Sequence, residues 1–197
     1  MDAAEMRAGL SVILLALALA ACSPRDEHWH ATDIAGAMPP LAFRMQRAND
    51  GTTVTEDSYR GYVVALYFGY THCPDICPAT LANLSDALGR LGARARDVRV
   101  LFVTVDPDRD TIAQLRDYVR AFAPQVDGLR GDDNALAALA RRYRVAYGIE
   151  KPSRGNDYSV MHSDAVFFFG RDGRARLVAT STEDVAGVAS DLRRLTQ

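Results

Sequence analysis

Two cysteines separated by three residues are the side chains of this sequence best suited to chemistry. Cys73 and Cys77 lie in the short segment His72 to Pro78, and each is followed by a proline. Two thiols at this spacing can close into a disulfide or, as thiolates, bind a soft metal ion. Three intervening residues make a wider loop than a two-residue spacer does, which favours an ion between the sulfurs.

The pair lies where a predicted strand leads into a predicted helix. Residues 62–68 are continuously apolar, β-branched and aromatic, as expected of a central strand covered on both faces. Pro78 suits the first helical turn, and a residue before proline is disfavoured in helical geometry, so we expect Cys77 at a cap-like position and Cys73 in the loop. Both sulfurs would then lie near the positive end of the helix dipole, which lowers the pKa of a thiol.

The histidines differ in their settings. His162 precedes the apolar run 165–169, which places it at the mouth of a predicted strand; alone, a histidine there is more often a structural residue than a ligand. His28 and His30 lie in an N-terminal stretch without a periodic apolar pattern, where weak metal recruitment competes with a plain solvated linker. We expect His72, beside the first cysteine, to be structural.

Two carboxylates follow the next predicted strand, residues 98–105. Asp106 is expected to end that strand, and Asp110 to cap the helix after it. A role around the metal or in docking a partner is the alternative for both. The inner face of that helix is expected to carry four apolar or aromatic side chains, namely Leu115, Tyr118, Val119 and Phe122.

The remaining pattern predicts the fold class. A helix is expected to begin at Asp132 or Asp133, and residues 145–149 could form a short edge strand. Strand-like runs at 160–169 and 175–180 are joined by a turn-like Arg-Asp-Gly segment, and a last helix follows. The order β-α-β-α and then β-β-α predicts an α/β, thioredoxin-like fold in three layers, with a mixed central sheet and a C-terminal antiparallel hairpin.

The N-terminus has the features of an exported lipoprotein. The apolar run from Leu10 to Ala21 is short of the roughly twenty residues that a spanning helix needs, and it is typical of a signal peptide. Leu-Ala-Ala before Cys22 resembles a lipoprotein cleavage site. We therefore expect a signal peptide over 1–21, a lipid on Cys22, a flexible tether over 22–40 and an extracytoplasmic domain held on the periplasmic face of a membrane; an uncleaved signal anchor is the alternative.

The net charge limits the kinds of partner, and the number of cysteines indicates the redox compartment. A net charge of -2 and a pI near 6.1 give no basic field for a phosphate backbone, so nucleic acid is not expected as a partner. If Cys22 carries lipid, the other two of the three cysteines remain as a pair in an oxidising compartment.

Several motifs together resemble those of the Sco (SenC) family. They are the CPxxCP segment, the block Val105 to Thr111, and the segment 158–163 that contains His162. The resemblance implies that residues 41–197 form a thioredoxin-like copper-binding domain with Cys73, Cys77 and His162 as the copper ligands. Two thiolates and one imidazole also suit Cu(I), and can hold Cu(II) with an added ligand. Met161 departs from the family pattern, in which an acidic residue precedes the histidine.

The resemblance also implies a function. The protein would be a metallochaperone that delivers copper to the CuA centre in the copper-bearing subunit of cytochrome c oxidase, with another protein as upstream donor. The alternatives are a thiol-disulfide reductase that keeps the acceptor's cysteines reduced, or a redox sensor. Apart from such reductase activity we do not expect an enzyme. A thiol peroxidase lacks an evident arginine partner for Thr71, and structural zinc would need a fourth ligand.

Overall fold

The structure, a computed structural model, describes residues 28–150 and 158–197. In these two ranges the chain forms ten strands and four α-helices. The strands are β1 (Thr32–Asp33), β2 (Arg44–Arg47), β3 (Thr53–Thr55), β4 (Val63–Gly69), β5 (Val98–Thr104), β6 (Val126–Arg130), β7 (Tyr147–Glu150), β8 (Ser159–His162), β9 (Val166–Phe169) and β10 (Ala175–Ala179). The helices are α1 (Ile76–Leu91), α2 (Ile112–Val119), α3 (Asp133–Arg142) and α4 (Val185–Leu195).

Eight of the strands form one mixed sheet, in the order β1-β10-β9-β4-β5-β6-β2-β3. β4, β5 and β6 run parallel, whereas β9 and β10 add an antiparallel hairpin next to β4. The thioredoxin-like α/β fold with a mixed sheet and a C-terminal hairpin is therefore confirmed. The turn of that hairpin contains Gly173 at a φ of 75°, a left-handed conformation that glycine adopts without steric cost.

The core is centred on β4, the strand that leads to the cysteine pair. All seven residues of β4 are buried, and β5 and β9 pair with its two edges. Helix α1 turns one apolar face inward, and it packs against α4. The predicted face of α1 is confirmed, since its leucines at 81, 84, 88 and 91 are all buried. A rigid strand and a well-packed helix thus meet at the CPxxCP segment.

Several predicted elements differ in their details. The run 160–169 is two strands, because the chain leaves β8 after His162 and enters the main sheet only at Val166. Residues 147–150 form a strand as predicted, but β7 pairs with β8 in a separate two-stranded sheet and is not an edge of the main one. β2, β3 and β6 carry polar residues in short runs, and the sequence pattern did not predict them.

The prediction that Asp110 caps a helix is wrong. Thr111 is the cap of α2, and its hydroxyl accepts a hydrogen bond from the Gln114 amide. Asp110 is fully buried; its carboxylate accepts hydrogen bonds from the Thr71 amide at 2.9 Å and from the Thr71 and Thr104 hydroxyls, each at 2.6 Å. Asp110 therefore joins the loop before the cysteines to the end of β5. Asp132, in contrast, caps α3 as predicted.

The prediction of a tether up to residue 40 is wrong from His28 onward. β1 pairs with β10, and the buried carboxylate of Asp191 accepts hydrogen bonds from the amides of His30 and Ala31. The guanidinium of Arg194 lies 3.7 Å from the centre of the Trp29 ring. These contacts fix the stretch against the domain because they satisfy its backbone donors and cover its indole.

The predicted signal peptide of residues 1–21 and the predicted lipidation site at Cys22 lie outside the described residues. Within the described ranges, no helix has both the length and the apolar character that crossing a bilayer requires.

Candidate metal centre

The two cysteines lie at the junction of a turn and the first turn of α1. Cys73 lies in the turn, where its amide donates to the Tyr70 carbonyl at 3.3 Å. The helix begins at Ile76, so Cys77 lies inside its first turn and not at the predicted cap-like position. The Cys77 amide, which has no acceptor within the helix at this position, donates to the Cys73 sulfur at 3.4 Å. The helix start therefore holds the two sulfurs close together.

A glycine at the end of β4 makes room for one of the sulfurs. A Cβ atom on Gly69 would lie 2.8 Å from the Cys77 sulfur and 2.5 Å from the Phe102 ring. Neither neighbour has space to move, because both side chains are fully buried. Gly69 thus lets the sulfur of Cys77 lie directly against the end of the central strand. No disulfide joins the two cysteines in this structure.

His162 reaches the cysteine pair from the end of β8. Its Nε2 atom lies 3.2 Å from the Cys77 sulfur, and its Nδ1 atom lies 3.0 Å from the Ser163 carbonyl oxygen. A carbonyl oxygen only accepts, so Nδ1 carries a proton, and in the tautomer that has this proton alone Nε2 presents its lone pair to the sulfur. Such a backbone contact at one ring nitrogen is the usual way to orient the other towards a metal.

The three side chains form a group of the right size for one ion. The two sulfurs and one imidazole nitrogen all lie within 4.8 Å of one another. An ion about 2.3 Å from each of three ligands in one plane needs those ligands about 4 Å apart, so small side-chain rotations are enough. Two thiolates and one imidazole are soft or borderline donors, a set that suits copper better than magnesium or calcium. The residues present therefore fit a copper ion.

Aromatic rings enclose the imidazole. The centre of the His162 ring lies 5.7 Å from that of Tyr70 and 6.2 Å from that of Tyr67, and both pairs meet edge to face. The pKa of Tyr67 is raised, first by burial and then by the nearby Cys77 sulfur, so its hydroxyl keeps its proton. These rings limit the positions that the imidazole can take and keep water from one side of the site.

Burial sets the protonation of the deeper thiol. Burial, with a smaller contribution from the neighbouring Cys73 sulfur, raises the pKa of Cys77 to about 12. The predicted lowering of the pKa by the helix dipole is therefore wrong for Cys77, because the cost of removing a thiolate from water exceeds the benefit of the dipole. Cys77 is a protonated thiol without metal, and an ion must displace that proton in order to bind.

A group of three residues, which we call the clamp, fastens the strand that carries His162. The clamp consists of Asp106, Arg109 and Tyr158. The carboxylate of Asp106 accepts hydrogen bonds from the Arg109 guanidinium and, at 2.7 Å, from the Tyr158 hydroxyl. Arg109 also donates to the Tyr158 carbonyl at 2.9 Å and lies 3.6 Å from the centre of the Tyr158 ring. Since Tyr158 directly precedes β8, the clamp anchors the base of the His162 strand.

The structure brings together the three ligands that the sequence indicated and leaves the other histidines apart. His28 and His30 lie near α4, where the His30 ring is 3.5 Å from the Asp184 carboxylate. His72 is exposed, and its ring lies 3.6 Å from the Asp110 carboxylate. Sequence reasoning gave no role to Gly69, Tyr67 or Tyr158 at the site. Their signal was their position, since the first two lie at the end of the strand that leads to the cysteines and the third directly precedes β8.

The sequence of the chain also matches the model of a known protein family. The model for SCO1/SenC matches residues 42–197, which is most of the chain. The chain belongs to the SCO1/SenC family.

Relatives with sequences similar to this chain support the assignment. The SCO2 homologue of bovine mitochondria is 41% identical over 136 residues, which cover 64% of this chain and 51% of that protein. The human mitochondrial SCO1 homologue is 34% identical over 125 residues, or 62% of this chain and 42% of that protein. The match therefore spans about half the length of these relatives.

Solved structures of the family share the fold. ScoI of Bradyrhizobium japonicum, determined with copper bound, has a TM-score of 0.70 and 34% identity, covering 79% of this chain and 98% of that one. Apo Sco1 of Thermus thermophilus, determined in solution, has a TM-score of 0.76 and 30% identity, covering 87% of this chain and 99% of that one.

Proposed function

We propose that the protein is a copper metallochaperone that binds one ion through Cys73, Cys77 and His162 and delivers it to the CuA centre of cytochrome c oxidase. The observation that carries the proposal is the grouping of three soft-metal ligand atoms within 4.8 Å of one another at one end of the sheet. Copper in the ScoI structure and the family resemblance support the choice of metal and the role in oxidase assembly.

Delivery proceeds by ligand exchange. A thiolate of the acceptor binds the copper while the bond from copper to one of the present ligands breaks, and the released cysteine takes up a proton. Cys73 is 8% exposed whereas Cys77 is fully buried, so Cys73 is the sulfur that an incoming thiolate replaces first. Copper changes neither charge nor oxidation state in this exchange. A disulfide between the two cysteines would prevent binding, because it leaves no thiolate.

The alternative is a thiol-disulfide reductase for the acceptor's cysteines, or a redox sensor. Its support is the pair of adjacent, reduced thiols, one of which lies close enough to accept from the amide of the other. The raised pKa of Cys77 opposes a mechanism in which Cys77 attacks first, because a buried protonated thiol is a slow nucleophile.

One experiment separates these functions. The reduced domain is titrated with copper, and disulfide exchange is measured in parallel, for the wild type and for His162→Ala. A metallochaperone loses copper affinity by orders of magnitude in His162→Ala and keeps its exchange rate, because the exchange uses only the two thiols. Copper affinity that is equal in both proteins would refute the proposed metal site.

We propose further that the domain is held on the extracytoplasmic side of a membrane by a lipid on Cys22. The support is the sequence alone: the short apolar run before Cys22 and the Leu-Ala-Ala segment that adjoins it. The membrane-bound wild type should begin at Cys22 and carry the mass of a lipid, and Cys22→Ser should lack that mass. A wild type that keeps residues 1–21 and carries no lipid would indicate the uncleaved signal anchor.

A further inference from the structure

Three large apolar side chains are exposed among the described residues, each on an element that carries a metal ligand or pairs with one that does. They are Ile76, Ile149 and Met161, and their exposed fractions are 44%, 56% and 60%. Ile76 precedes Cys77, Met161 precedes His162, and Ile149 lies on the strand that pairs with β8. Within the described residues, large apolar side chains are therefore exposed on the elements around the metal centre. Ile149 pairs with Val160 and therefore faces the side of the β7–β8 sheet opposite Met161, whereas Ile76 lines a groove.

A groove begins at one of these residues. It has a volume of about 290 Å³ and runs from Ile76 along one side of α1, opposite Asp164 and the loop between β10 and α4. We call it the docking groove. Its lining consists of Ile76, Ala79, Thr80, Asn83, Asp164 and residues 180–183. Asp164 follows His162 by two residues and Ile76 adjoins Cys77, so the groove is lined by close neighbours in the chain of two of the metal ligands.

The charge of the docking groove is negative. Asp164 and Glu183 are exposed in its lining, and Asp75 is exposed next to Ile76. Among the described residues that line it there is no arginine or lysine. A partner segment that fits here carries positive charge opposite the two carboxylates and an apolar side chain against Ile76.

We propose that the docking groove binds a segment of the copper acceptor that carries a basic and an apolar side chain beside the acceptor's copper-binding thiolates. The inference rests on the proposed function. The charge and the position of the groove identify the occupant: its lining is acidic, and it includes Ile76, next to Cys77, and Asp164, two residues after His162, so a protein that exchanges thiolates with the copper meets this surface. A donor that loads the site meets the same rim, but transfer to the acceptor is the step that the groove would direct.

The test measures copper transfer from the loaded domain to two acceptors. The first is the soluble, copper-free domain of the oxidase subunit that contains CuA, and the second is dithiothreitol, a neutral dithiol too small to need the groove. The variants are Ile76→Ser and the double variant Asp164→Asn/Glu183→Gln. Matched controls are Ala82→Ser and Asp86→Asn, exposed positions of α1 outside the groove lining.

Each groove variant should lower the second-order rate to the protein acceptor about tenfold, while the controls and the rate to dithiothreitol stay unchanged. Salt should slow the wild type several-fold and leave the charge variant nearly unaffected. Wild-type rates to the protein acceptor in both groove variants would overturn the docking proposal, as would equal slowing towards dithiothreitol. A concentration-dependent dimer that Ile76→Ser abolishes would also overturn it, because a second copy would then occupy the groove.

The wild type tests the two proposals separately. Loaded wild type that transfers no copper to the protein acceptor refutes the proposed delivery, and the docking proposal fails with it. Wild-type delivery that groove variants do not slow refutes the docking proposal alone.

Discussion

Arg109 holds the base of the strand that carries His162, so replacing it with alanine should loosen the imidazole without removing a ligand. The side chain of Arg109 is 19% exposed and contacts Asp106, the Tyr158 carbonyl and the Tyr158 ring. A hydrogen bond to a charged group contributes about 1.5–3 kcal/mol, and a neutral bond or a cation-π contact contributes about 1 kcal/mol.

These contributions are not additive, and water replaces part of what is lost. In the closed state of β8 the clamp holds its base, and in the open state the contacts of the clamp are broken. We therefore expect Arg109→Ala to shift the equilibrium between these states towards the open one by about 2–3 kcal/mol, which is roughly 30- to 150-fold. The closed strand of the wild type has other contacts, so the loss of copper affinity should be smaller, about tenfold. Hydrogen exchange at the amides of β8 should accelerate over the same range.

The assay combines a copper competition titration with hydrogen exchange, for single and double variants. Arg109→Ala should cause no further loss of copper affinity in the His162→Ala background, because the clamp acts only through the imidazole. Arg99→Ala is the matched control: Arg99 is also half-buried and lies 4.0 Å from the centre of the Tyr62 ring, but it is outside the clamp. Unchanged affinity and unchanged exchange at β8 in Arg109→Ala would refute the clamp, and so would an equal loss in Arg99→Ala.

Three further predictions follow from the core, the deeper thiol and the N-terminal contacts. Gly69→Ala should destabilise the domain by about 1–3 kcal/mol in denaturant unfolding and weaken copper binding. Gly89→Ala is the control, because a Cβ at that position would lie in open space, and it should have neither effect. Equal stability of the two variants would contradict the close approach of the Cys77 sulfur to Gly69. The apparent copper affinity should rise about tenfold per pH unit between pH 6 and 8 from Cys77 alone. The pKa of Cys77 is near 12, so copper binding releases its proton throughout that range. A pH-stat measurement that records no proton release on copper binding would contradict this prediction. Trp29→Ala should lower the Tm by roughly 2–6 °C, because it removes the contact with Arg194; a Tm equal to that of the wild type would show that residues 28–33 do not stabilise the domain.

Local patterns in the sequence were sufficient for the central elements. β4, α1 and the β9–β10 hairpin were predictable because a continuous apolar run, a helical apolar face and an Arg-Asp-Gly turn each depend on neighbouring residues. Short strands such as β6 escaped prediction because pairing with β5, and not their own composition, stabilises them. The position of His28 to Asp33 against the domain likewise depends on residues of β10 and α4, which are distant in the chain.

The amino-acid sequence by itself determined which side chains could bind a soft ion: two thiols at the end of a strand and one late histidine, in the motifs of a known family. Only the tertiary structure decided that His162 lies 3.2 Å from the Cys77 sulfur, since 85 residues separate them in the chain. It also decided the protonation of Cys77, because the pKa of a thiol depends on its burial, and burial is a property of the whole fold.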